Sequence, residues 1–177
     1  YTIFFLCLSF LWGCCDCNQA NLISNTKQDM VLIPSGNFIM GTNKIDKEDT
    51  HKKIGAVKPL YLDQHPERTV FLESYYIDRF EVTNKKYKQF INENSFTDYP
   101  AHWTDETYPE GESEHPVTQV TWWEAWSYCQ WEGKQLPTEA QWEKAARGPE
   151  GLSFPWGNEF VKDNANVGIE GDRKTVP

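Results

Sequence analysis

Cysteines, histidines and clustered acids are the side chains of this 177-residue chain with chemistry to offer. Cys14, Cys15 and Cys17 lie within four positions, and a Cys-x-Cys pair of thiolates suits a soft metal ion. No other ligand cluster joins them, so they read as cysteines at the end of a leader, beside Cys7 within it. Cys129 stands alone in the globular part, as a core thiol or as half of a disulfide. His51, His65, His102 and His115 are scattered, and two of them precede proline, as loop residues do. No Ser/His/Asp grouping forms. Glu110, Glu112 and Glu114 read as a solvated loop. Gly36 and Gly41 lack the lysine and helix start of a phosphate loop.

The first residues carry a different signal. "TIFFLCLSFLWGC" holds no charge. Its apolar run from Ile3 to Trp12 is too short to span a bilayer but fits a signal-peptide core. The chain begins with Tyr1 and without a basic n-region, so residues 1–13 are expected to be part of a leader. Leu11-Trp12-Gly13-Cys14 resembles a bacterial lipobox, with Cys14 as the lipid-anchor residue. Residues 14–28 are polar enough to act as a flexible tether. The expectation is an exported protein, either membrane-anchored through lipid or periplasmic or extracellular.

Composition narrows the partners. The formal charge is −9. It would on average repel phosphate backbones, so no nucleic-acid partner is expected. Aromatic residues make up 15% of the chain, with eight Trp, eight Tyr and ten Phe. Such a load suits a core of large flat side chains under ordered loops.

The elements that must position these residues are short. "MVLIPSGNFIMGT" from Met30 to Thr42 predicts a hairpin around Pro34-Ser35-Gly36. "VFLESYYIDRFEV" predicts one strand, and Thr83 predicts the cap of a helix whose inner face is Tyr87, Phe90 and Ile91. Thr121 with Glu124 forms a capping-box pattern, Gly133 a C′ stop, and Trp122, Ala125, Trp126 and Cys129 a stripe. In "GKQLPTEAQWEKAARGPEG", Thr138 and Gln141 repeat the capping box. Pro137 and Trp142 are placed as a staple, and Lys144 and Arg147 close the helix before Gly148 and Pro149. Trp142, Ala145 and Ala146 are the expected contact face. Long loops separate these elements, which predicts a loop-rich α+β domain over residues 29–177 whose small helices pin the loops.

Four stretches together resemble the formylglycine-generating enzyme (sulfatase-modifying factor) family. They are "MVLIPSGNFIMG", "YYIDRFEVTNKKY", "HPVTQVTWWEAWSYCQWEGKQLPTEAQWEKAARG" and "FPWGNEF…NANVG", in the family's order from Met30 to about Gly168. The resemblance implies a C-type lectin-like variant fold, low in regular structure, of which this chain holds the N-terminal part. It implies an oxidase that converts a sulfatase cysteine in Cys-x-Pro-x-Arg to formylglycine, with copper(I) on two cysteines. Those cysteines belong to the part of the family domain beyond Pro177, so no catalytic residue is expected here, and Cys129 matches a structural position. Calcium is implied at Asn166 and Val167, ahead of Glu170 and Asp172. The alternative it leaves is a non-catalytic, lipid-anchored binding or structural module.

Overall fold

The computed structural model describes residues 8–9, 29–47, 61–95, 98–159, 161, 164–165 and 175–177. Its strands are β1 (Leu8–Ser9), β2 (Met30–Ile33), β3 (Gly36–Met40), β4 (Arg68–Leu72) and β5 (Tyr75–Asp78). Its α-helices are α1 (Asn84–Asn94), α2 (Trp122–Trp131) and α3 (Glu139–Arg147). The class is mixed α+β. The chain divides into two units, one of residues 1–33, 75–137 and 175–177, the other of residues 34–74 and 138–174.

The hairpin expected at Pro34-Ser35-Gly36 does not form. β2 pairs with β5, whereas β3 pairs with β4, all antiparallel. The single strand expected from Val70 is likewise two strands, parted at Glu73-Ser74. Met30 pairs with Asp78 in the first ladder, and Met40 pairs with Arg68 in the second. Pro34 has no N–H to give a ladder, so a break falls naturally beside it. A tight hairpin would also have left β4 and β5 without these partners. Pairing across the long loop supplies them, and closure entropy rises only slowly with loop length.

In the first unit the sheet order is β1-β5-β2. Tyr75 and Ile77 of β5 are buried at alternate positions, as period two requires. Thr83 accepts the N–H of Lys86 and caps α1, and the expected inner face of Tyr87, Phe90 and Ile91 is buried. Against it α2 packs Ala125, Tyr128 and Cys129. Tyr87 and Tyr128 stack at 5.9 Å between ring centroids, and Phe90 meets Tyr128 edge-on at 5.5 Å. Thr121 and Glu124 close the capping box on α2, and Gly133 follows with φ 69. Beyond it, the Lys134 ammonium donates to Asp78 at 2.9 Å, tying the exit of α2 to β5.

The predicted α2 stripe is corrected in part. Ala125 and Cys129 are buried as expected, but Trp122 and Trp126 are 50% and 40% exposed, and Tyr128 takes the inward place. On a helix, positions 125, 128 and 129 share one arc, and 122 and 126 fall on its flank.

In the second unit, β3 buries Phe38 and Met40 against the ladder with β4. The capping box of Thr138 and Gln141 is present on α3. Its contact face differs from expectation: Gln141 and Lys144 are buried, whereas Trp142 is 45% exposed. The reason is that α3 holds its surroundings by hydrogen bonds more than by apolar area. The Lys144 ammonium donates to the carbonyls of Pro34 and Gly36 at 2.8 and 2.9 Å. Arg147 donates to the carbonyls of Gly41, Gly151 and Leu152 and pairs with Glu143, which also accepts the N–H of Gly41. Loops carry backbone groups that need partners, and a short helix with long cationic side chains supplies them. The helix pins loops, as the sequence suggests, though through its polar side chains.

Candidate functional site

A cleft of about 190 Å³ opens between α1 and α2. Its floor is Tyr87, Phe90 and Ile91 of α1, and its rim is Asp98, Trp123, Glu124 and Ser127. Each lining side chain owes its place to local structure. The spacing of 87, 90 and 91 brings three apolar groups to one α1 face. Asp98 follows the helix exit at Ser95, whose backbone is left-handed at φ 54. Glu124 is held at the first turn of α2, because one carboxylate oxygen accepts the Thr121 N–H.

Trp123 faces away from the buried arc and is 70% exposed. Its ring meets those of Trp122 and Trp126 edge-on, at 4.7 and 6.2 Å between centroids, so it stands as part of an open aromatic ladder. The electrostatics of the cleft are one-signed. Burial pushes the Tyr87 hydroxyl well above the usual tyrosine range, and the Glu124 charge pushes it further in the same direction, since both disfavour the anion. Among the described residues Asp98 makes no hydrogen bond or ion pair. Chemically, an apolar floor with one flat ring and two carboxylates at the rim can bind a ligand; it holds no nucleophile–base pair.

The residues singled out from sequence are placed elsewhere. Cys14, Asn166 and Val167 lie outside the described residues, as do Cys15, Cys17, His51, Glu170 and Asp172. Cys129 is fully buried and disulfide-bonded. His65 precedes Pro66 through a cis bond. His102 is partly buried, and loss of solvent lowers its pKa against an opposing pull from Glu112. His115 bonds to Thr175 through Nδ1 at 2.9 Å. These histidines are not brought together. Glu110 and Glu114 are exposed, Glu114 facing Lys85 at 3.7 Å, as a solvated loop would have them.

Among the described residues no group of three His, Cys, Asp or Glu side chains could hold a metal ion. Cu(I) on two thiolates does not fit them either, since Cys129 is their one cysteine and its sulfur is already bonded. Sequence reasoning missed Asp98, Trp123 and Ser127. The available signal was Trp123 itself, a large ring on the polar side of a capped helix.

These features define a loop-rich α+β domain with an open aromatic cleft. The chain belongs to the family described as the sulfatase-modifying factor enzyme 1-like domain, which matches residues 19–174. It is 36% identical over 168 residues to the uncharacterized protein YfmG of Bacillus subtilis (strain 168), covering 86% of this chain and 32% of that protein. Over 174 residues it is 33% identical to the formylglycine-generating enzyme of Thermomonospora curvata, covering 75% of this chain and 53% of that enzyme. It is 32% identical over 178 residues to a Mus musculus protein named inactive C-alpha-formylglycine-generating enzyme 2, covering 78% and 54%. The chain thus spans from about a third to a little over half of the length of these relatives.

Proposed function

We propose that the whole protein is an exported formylglycine-generating oxidase. It converts the cysteine of a Cys-x-Pro-x-Arg segment in a sulfatase to formylglycine, on a C-type lectin-like variant of the α+β fold. The observation that carries the reading is membership of the family over nearly all of the chain, together with 33% identity to a relative named as that enzyme. Copper(I) would supply the oxygen chemistry, on a cysteine pair outside the described residues. What the described residues contribute is support: α3 pins the loops of its own unit, and the cleft between α1 and α2 is open at the surface. Mass spectrometry of a Cys-x-Pro-x-Arg peptide, incubated with the whole protein, copper and oxygen, tests the reading. Conversion of the thiol to the aldehyde is expected; an unchanged peptide rejects it.

A second reading has its own support, because a relative named inactive is 32% identical, close to the enzyme's figure. On that reading the protein is a non-catalytic, lipid-anchored binding or structural module. Both readings share export with lipid on Cys14, tested by fatty-acid labelling of wild type against Cys14→Ser. Both also include a calcium ion at Asn166 and the Val167 carbonyl. Hard cations take six to eight oxygens, so calcium should raise the melting temperature and Asn166→Ala should abolish the rise.

A further inference from the structure

We propose that the outer edge of β5 is a docking site for an extended segment of a partner polypeptide, filled here by Leu8–Ser9 and opened when the leader is cut away. The inference rests on the export reading, since β1 lies within the residues 1–13 expected to be removed. β5 is the central strand of its sheet, in the order β1-β5-β2. On one side β2 pairs with all of β5, from Met30↔Asp78 to Ile33↔Tyr75. The Arg79 N–H extends that side by donating to the Asp29 carbonyl at 2.8 Å. Among the described residues β1 alone covers the other side, through Leu8↔Ile77 and Ser9↔Tyr76.

Removal of residues 1–13 takes that partner away and leaves β5 with a row of unpaired N–H and C=O groups. Such groups need partners where water is scarce, and the strand is well covered: Tyr75 and Ile77 are 2% and 5% exposed. Edge strands are commonly blunted by lysine, proline or a bulge. Tyr75-Tyr76-Ile77-Asp78 has neither residue, and its register against β2 runs without a bulge. Its aromatic and β-branched residues suit a strand flanked on both sides. Strand addition is the mode of recognition such an edge serves, with main-chain hydrogen bonds giving affinity and alternate side chains giving specificity. The register sets the chemistry of the occupant. Residues opposite one another in a ladder share a face. The position opposite Ile77 therefore lies on the buried face and takes an apolar residue, and the one opposite half-buried Tyr76 takes a polar one. Leu8-Ser9 stands in that order.

The test uses the whole protein made from Cys14 onward, unlipidated, beside the same protein with residues 1–13 kept. Each is titrated with the neutral peptide acetyl-Thr-Leu-Ser-Thr-amide while NMR follows the backbone amides of Tyr76 and Ile77. Should the leaderless chain fail to fold, the longer one, cut at a protease site inserted after Gly13 once folded, supplies the same edge. A saturable shift at both amides is expected without the leader, and none with it. The same peptide N-methylated at its Leu and Ser keeps the side chains but loses the ladder N–H groups, and should give no shift. Asp in place of the peptide's Leu should weaken binding by roughly tenfold or more, because apolar burial is lost and a charge is set on a buried face. The mass of the N-terminal peptide of the protein from its own cells checks the leader separately. Retention of residues 1–13 there rejects the export reading and the opened edge together. With the leader gone, three results would each overturn the inference alone: no shift with the peptide, an equal shift with its N-methylated form, or an equal shift in the protein that keeps residues 1–13.

Discussion

Arg147 and Trp142 lie on the same short helix and have opposite standing. Arg147 reaches the carbonyls of Gly41, Gly151 and Leu152 as well as Glu143, a use of the planar guanidinium that a lysine cannot copy. Arg147→Lys should therefore cost more than about 1.5 kcal/mol, because partly buried carbonyls lose a charged donor. Trp142 is 45% exposed. Trp142→Ala should therefore fall well below the roughly 3–5 kcal/mol of a buried tryptophan. Urea denaturation of the two variants gives the ranking. A Trp142 loss larger than the Arg147 loss would show that apolar contact, and not hydrogen bonding, seats α3.

Helix ends and turns are stabilised by devices of known size. Both capping boxes are complete. Thr121→Ala and Thr138→Ala should each cost about 0.5–2 kcal/mol. Two glycines separate backbone strain from crowding. Gly133 has φ 69 and open space where a Cβ would go. Gly133→Ala should cost about 1–2 kcal/mol from the left-handed backbone alone. Gly41 has φ 77, and a Cβ there would sit 2.3 Å from the Gln64 carbonyl oxygen. Gly41→Ala must therefore displace backbone and should destabilise much more than Gly133→Ala. Thermal melts of the pair compare the two terms, and equal losses would contradict the close approach.

Across the molecule, the buried tyrosines set a limit at high pH. Burial pushes Tyr75 up to about 12, and it pushes Tyr87 and Tyr128 still higher. In the unfolded chain these hydroxyls ionise near 10, so above about that pH the unfolded state binds fewer protons than the folded one. Their contribution is complete below about pH 10 and is lost as pH rises through the folded values. Absorbance of tyrosinate should show the exposed tyrosines ionising first. The three buried ones should follow in a cooperative step with the loss of far-ultraviolet helix signal. A single smooth titration near the ordinary tyrosine value, with the fold intact, would mean that these rings are not sealed from water.

Local chemistry was legible in the order of residues. Thr83, Thr121 and Thr138 before apolar or Glu/Gln positions marked the three helix starts, because a cap is a contact within four residues. The inner face of α1 was equally legible, since its period is set by the helix itself. The family was carried by motifs along the chain. Strand pairing was decided only in three dimensions: the register between residues 30–40 and 68–78 depends on which edges find partners across a long loop, and no local spacing encodes that choice. The exposure of Trp122, Trp126 and Trp142 has the same cause. A tryptophan at helical spacing looks the same in sequence whether or not another element covers it. Asp98 and Glu124 came to one cleft only because α1 and α2 pack through Tyr87, Phe90 and Tyr128, and that contact joins residues far apart in the chain.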